Sequence, residues 1–307
     1  MDDDLQYETI SNTRKRLGVN LVGKVLVAIS ILLIFAFDLF AQANDTFKLT
    51  GSYLGQEPPG ESPVLFAPEM ISSELNEHGC TFSPDGKEFY FTRILNGIPS
   101  IMYTSQLDGF WTTPQIVSFS GVYMDRLPQM SPDGNTLYFQ SKRPGQGADS
   151  PGEVAIWISE RTDSGQWGEP KPLDVEFEMS NAGISVSASG SGALYASGIV
   201  RLRTENGGFT KPEKLIPGLE GTYPFIAPDE SYILFCSGKQ RDLMVSFHRP
   251  DDTWTEPQLI LQQPMPFWIQ GFPIMSPDGR YLFFTADHDI YWVSADIIDR
   301  LRPNELK

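Results

Sequence analysis

Phe82-Ser83-Pro84-Asp85-Gly86-Lys87-Glu88-Phe89-Tyr90-Phe91 returns as Met130-Ser131-Pro132-Asp133-Gly134-Asn135-Thr136-Leu137-Tyr138-Phe139 and again as Met275-Ser276-Pro277-Asp278-Gly279-Arg280-Tyr281-Leu282-Phe283-Phe284. Two looser copies lie between them, Val186-Ser187-Ala188-Ser189-Gly190-Ser191-Gly192-Ala193-Leu194-Tyr195 and Ile226-Ala227-Pro228-Asp229-Glu230-Ser231-Tyr232-Ile233-Leu234-Phe235. Counted from residues 83, 131, 187, 227 and 276, the spacings are 48, 56, 40 and 49 residues, the size of a repeated supersecondary unit. Proline followed by Asp-Gly sets a tight turn, and the aromatic and aliphatic residues after it favour a strand. Each copy therefore predicts a hairpin.

A third strand is expected after each hairpin, at Ile101-Met102-Tyr103, Ala155-Ile156-Trp157-Ile158, Val200-Arg201-Leu202, Leu243-Met244-Val245 and Ile290-Tyr291-Trp292-Val293. Four copies then carry an aromatic residue, a proline three positions on and an aliphatic residue three further: Trp111/Pro114/Val117, Trp167/Pro170/Leu173, Phe209/Pro212/Leu215 and Trp254/Pro257/Ile260. Proline has no N–H to donate, so this element reads as an outer edge strand. The last copy lacks it, and Leu65-Phe66-Ala67-Pro68-Glu69-Met70-Ile71 has the matching spacing at the other end of the chain. An N-terminal strand paired with the last unit would remove an open sheet edge. The expectation is an all-β, five-bladed β-propeller over residues 63–302 closed by an N-terminal strand, with an extended leader at 44–62 and a C-terminal tail at 303–307. Six blades, the alternative, require an unrecognised copy.

Composition agrees with many short strands and tight turns: of 307 residues, 27 are Gly and 24 Pro, beside 20 Phe, 11 Tyr and 6 Trp. A formal charge of −16 argues against a nucleic-acid partner held through phosphate contacts. Val25 to Phe37 is an apolar run preceded by Arg14, Lys15, Arg16 and Lys24 and followed by Ala41-Gln42-Ala43. This order reads as a secretory signal peptide over residues 1–43, and the membrane is met only through this segment if it stays uncleaved. The chain is expected to be exported, periplasmic or secreted. Cys80 and Cys236 stand alone, outside any C-x-x-C or paired-histidine arrangement, so no metal and no cofactor is expected, and the two thiols read as free rather than bridged.

The S-P-D-G-x-x-L/F-Y/F-F copies with their W-x-x-P strands resemble the WD40-like β-propeller repeat family, in its TolB-type form. The resemblance covers nearly all of the chain after residue 43. It is strong at three turns and degraded at Ala188-Ser189-Gly190 and Glu230-Ser231. It implies the propeller fold and an exported bacterial protein, and it carries no particular activity, because this fold hosts many unrelated functions.

Aligning the copies locates a candidate face. Six residues before the turn stand Glu77, Asp125, Asn181, Gly221 and Gln270, followed by His78, Arg126, Ala182, Thr222 and Gly271. The exits of the second strands add Arg93, Lys142, Arg143, Lys239, Asp287, His288 and Asp289. The candidate ligand-binding set at the channel mouth is Glu77, His78, Arg93, Asp125, Arg126, Asn181, Lys239, Gln270, Asp287 and His288, a mixture suited to a protein, a peptide or a saccharide. Trp111, Trp167 and Trp254 recur at one repeat position and read as packing between units, whereas Trp268 reads as an exposed stacking surface. The turn aspartates read as caps. These features favour a non-enzymatic binding or scaffold protein without catalytic residues. The alternative is a polysaccharide-active hydrolase or lyase using Glu77 and Asp125 with Asp287 or Asp289. A peptidase is disfavoured because G-x-S-x-G is absent.

Overall fold

The computed structural model describes residues 49–144, 154–173, 183–195, 198–205, 208–210, 213–216, 220–238, 241–261 and 265–307. The segment read as a signal peptide lies outside these, as do Asn181 and Lys239. Within residues 49–307 the fold is an all-β propeller type with almost no helix. Among the described residues five antiparallel sheets follow one another along the chain, each beginning at the strand before a Ser-Pro-Asp-Gly turn or its counterpart, and Thr204–Glu205 with Gly208–Phe209 forms a separate two-stranded ribbon. The first runs Glu77–Phe82, Glu88–Leu95 and Ile98–Leu107, with Phe110–Trp111 and Gln115–Ile116 both paired to the third strand. Asp125–Met130, Thr136–Ser141, Ala155–Glu160 and Lys171–Pro172 form the second, and Ile184–Val186, Gly192–Tyr195, Ile199–Leu202 and Glu213–Lys214 the third. The fourth is Thr222–Ile226, Tyr232–Ser237, Asp242–Phe247 and Gln258–Leu259.

The last sheet, Ile269–Met275, Tyr281–Ala286 and Asp289–Ser294, takes its outer strand from Val64–Leu65, in register Val64 to Trp292 and Leu65 to Tyr291. Its exposed edge is thereby paired. Phe66 follows into a fully buried site against Phe82, Phe89, Phe283 and Trp292, joining the first sheet to the last. The segment expected to be an extended leader behaves differently over its described part. Tyr53 and Leu54 are buried, and the Tyr53 ring sits edge-on to Tyr281 at 4.9 Å. Two apolar side chains within a Gly- and Pro-rich stretch are enough to pull it into the core. The C-terminal segment also adds to the core, through the helix Asp296–Leu301 and its buried Ile297 and Ile298.

A second difference concerns the W-x-x-P element. Trp111 lies on a short hairpin return, and Trp167 and Trp254 form isolated bridges to Arg161 and His248; the outer strands begin only after the proline. The Trp167 indole donates to the Tyr90 hydroxyl at 3.1 Å, linking the second sheet to the first.

The turns explain themselves chemically. The Ser83 hydroxyl donates to Asp85 Oδ1 at 2.7 Å and accepts from the Glu88 amide, while the Lys87 amide also donates to Asp85. Ser131 with Asp133 and Ser276 with Asp278 repeat this, each turn finishing on a glycine at positive φ. The third copy has no aspartate. There Ser187 donates to Glu230 Oε1 at 2.8 Å, and Ser189 donates to the same oxygen, so a carboxylate from the following copy replaces the missing one. Glu230 occupies the position where the other copies have glycine, with φ of 59°, and its other oxygen pairs with Arg201. Glu230→Gln is expected to lower the unfolding free energy by about 1–3 kcal/mol in urea denaturation. Glu230→Gly should lose as much although it relaxes the backbone, because the cross-sheet bonds outweigh the cost of the left-handed conformation.

Candidate functional site

Each inner strand brings its fourth residue before the turn to the axis: Gly79, Leu127, Gly183, Tyr223 and Phe272. Four of these have φ between 53° and 58°, and the sheet register shifts beside each of them. These are β-bulges, repeated at one position, and proline follows in three cases, Pro128, Pro224 and Pro273. A bulge turns its amide out of its own ladder, and the neighbouring sheet receives it. The Leu127 amide donates to Thr92 Oγ1 at 2.9 Å and the Gly79 amide to Thr285 Oγ1 at 3.0 Å. Cys236 occupies the same repeat position as the two threonines and takes the Phe272 amide on its sulfur. The ring of bulges lines a narrow waist with about 30 Å³ of room, enough for about one water molecule. On the turn side the channel opens into a cavity of about 380 Å³ with an apolar wall that includes Phe82, Met130, Phe225 and Ile274.

The opposite mouth carries those residues singled out from the repeat alignment that are among the described residues, and they divide into two groups. Glu77 and Asp125 are fully buried. Glu77 accepts from Arg93 Nε at 2.6 Å and from the Ser73 hydroxyl at 2.7 Å, while Arg93 also donates to the Met70 and Ile71 carbonyls. Asp125 receives Arg143 Nη2 on both oxygens at 2.9 and 2.8 Å and the Ser141 hydroxyl at 2.6 Å. Burial pushes the Asp125 carboxyl up, and Ser141 and Arg143 pull against it. Glu77, Arg93 and Asp125 thus sit in ion pairs that join strands.

The second group meets around the axis. His78 lies near the Phe272 ring at 5.9 Å, and the Tyr223 and Phe272 rings touch at 4.0 Å. Burial, helped by Arg126 and His288, lowers the His78 imidazole to about 4, so it is neutral at pH 7. Gln270 bonds His288 Nδ1 at 3.1 Å and accepts the His288 amide, and Asp287 Oδ1 accepts the Trp268 amide at 3.0 Å. Gly271, at φ of 116°, permits this packing: a Cβ there would lie 2.9 Å from both Cys236 Sγ and the Tyr223 ring. Tyr223, Phe272 and Arg241 complete the mouth and were not foreseen. The first two occupy the bulge position, which alternation alone would have turned away from the axis. Arg241 stands two residues beyond Lys239, at the start of the third strand of its sheet.

Asp289 borders this group. Burial and the neighbouring Glu77 raise its carboxyl to about 6, and its Oδ1 is buried without a partner among the described residues. A carboxyl raised above its unfolded value stabilises the fold fully below the unfolded value near pH 4 and loses that contribution as pH rises through about 6. Asp289→Asn is therefore expected to melt higher than the parent at pH 7.5, with the difference shrinking toward pH 4; thermal melts across this range check it.

No family model matches the chain, and no curated protein is significantly similar to it. Solved structures are. TolB from Acinetobacter baumannii aligns at 15% identity and a TM-score of 0.49, over 73% of this chain and 55% of that one. A putative TolB from Agrobacterium tumefaciens aligns at 20% and 0.47, over 73% of this chain and 72% of that one. The periplasmic gluconolactonase PpgL of Pseudomonas aeruginosa aligns at 13% and 0.43, over 68% and 64%. The chain thus spans about half the length of the first of these.

Proposed function

We propose that this protein is an exported five-bladed β-propeller that binds a protein, peptide or saccharide ligand at the channel mouth without transforming it. Five sheets of four or five strands among the described residues, one at each repeat copy, support the five-bladed reading, and the pairing of Val64–Leu65 with the last of them supports closure. The observation that carries the binding reading is the mouth itself. Neutral imidazole, amide, guanidinium and two touching aromatic rings converge there above the narrow waist, while the carboxylates best placed for acid–base work, Glu77 and Asp125, are held in buried ion pairs. Aromatic faces with a few oriented polar groups are what a polar ligand needs. One observation favours the hydrolase or lyase alternative: the raised carboxyl of Asp289 beside Glu77 has the form of a general acid.

A thermal-shift screen of the full chain against chito- and cello-oligosaccharides, peptidoglycan fragments and short peptides tests the reading. At least one class is expected to raise the melting temperature by about 5–10 °C at a hundredfold excess over its Kd, and Tyr223→Ala to abolish the shift. Stabilisation that survives Tyr223→Ala would place the ligand elsewhere. Release of new reducing ends, lost in Asp289→Asn, would decide for the alternative.

A further inference from the structure

Four arginines stand at or near this mouth, and the protein treats them in two ways. Arg93 and Arg143 are each paired with a buried carboxylate. Arg126 and Arg241 are half-buried, and neither has a carboxylate within salt-bridge distance among the described residues. Arg126 spends its Nε on the Gln140 side-chain oxygen at 2.8 Å, and Arg241 gives Nη1 to the Gln270 carbonyl at 2.8 Å. The Arg241 guanidinium lies 5.5 Å from the Tyr223 ring centre and 5.7 Å from that of Trp268, and Arg126 interacts electrostatically with the Tyr223 hydroxyl and with His78. Burying a guanidinium without a counter-ion costs stability, and in a chain of formal charge −16 acids abound to neutralise it. Two such groups, one stacked on Tyr223 and the other in electrostatic reach of it, form a cradle at the channel mouth for an anion supplied from outside.

Resting on the mouth-binding reading above, we infer that the ligand carries a carboxylate, held between Arg126 and Arg241 with its body against Tyr223 and Phe272. The guanidinium forks can each take two oxygens of such a group, and the His78 and His288 imidazoles border it as further hydrogen-bonding groups. A single negative charge fits better than two. Asp287 and Asp289 lie at the same rim, so the positive excess is small. A uronic acid and the C-terminus of a peptide share this chemistry.

Calorimetric titration of the full chain with glucuronate against glucose, and with N-acetylphenylalanine against its amide, separates these sources. One acid is expected to bind about tenfold tighter than its neutral counterpart. Arg126→Gln and Arg241→Gln should each remove most of that preference and leave the neutral compound unaffected. Should either variant fail to fold, the preference in the parent protein must fall between about 0.05 and 0.5 M salt, as screening of a charge contact requires. An acid preference that survives both substitutions, or that ignores salt, overturns the inference. Equal binding of acid and neutral compound, weakened alike by Tyr223→Ala, overturns the carboxylate while leaving the mouth as a binding site. Absence of binding by all four compounds counts against both.

Discussion

The bulged amide handed to the next sheet is the contact on which the remainder depends. A β-bulge costs its strand a ladder bond, and an amide left unpaired in the interior would be expensive. Here the loss inside one sheet becomes the bond between two, because Thr92, Thr285 and Cys236 each present an acceptor at the same repeat position. A second layer runs below it, where the Met130 and Ile226 amides donate to Thr81 and Ser185 of the preceding sheets at 3.1 Å. Sheets that pack through apolar faces alone could slide, whereas these directional bonds specify their relative height. The same bulges narrow the waist and turn Tyr223 and Phe272 toward the axis, so stability and site geometry share one cause.

Charge is distributed by a parallel logic. On the turn side, carboxylates cap backbone amides, and hydroxyl and amide donors hold Asp278 down at about 2. At the opposite mouth two carboxylates are consumed by Arg93 and Arg143, which leaves imidazole, amide and guanidinium beside only the Asp287 and Asp289 carboxylates among the described residues. The mouth is thereby less negative than the chain as a whole. That contrast, more than any single side chain, underlies the proposal of an acidic ligand.

The repeat was legible because its turn chemistry is local: proline, a capping aspartate and a glycine at positive φ act within five residues. The strands around each turn followed from the same spacing, whereas the borrowed outer strand, expected over Leu65–Ile71, is Val64–Leu65 ahead of Pro68, with Phe66 rather than Ile71 bonded to the third strand as Val117 and Ile260 are in theirs. By its sequence alone Glu230 reads as decay of the motif. It is a substitution in trans, since its carboxylate serves Ser187 and Ser189 of the previous copy across 43 and 41 residues. The candidate site was legible as a location and not as a composition. Alignment brought His78, Arg126, Gln270 and His288 to one mouth, yet it ranked Glu77 and Asp125 beside them, because a one-dimensional pattern cannot distinguish a carboxylate facing a channel from one facing an arginine.

Sequence alone determined the repeat, the sheet order and the end of each sheet that faces the turns, because these depend on residues near one another in the chain. Which charges are neutralised, which aromatic rings reach the axis and how far the channel stays open were decided only by the tertiary structure. Those outcomes depend on the bulge, which shifts side chains off simple alternation, and on partners that folding brings together from distant parts of the chain.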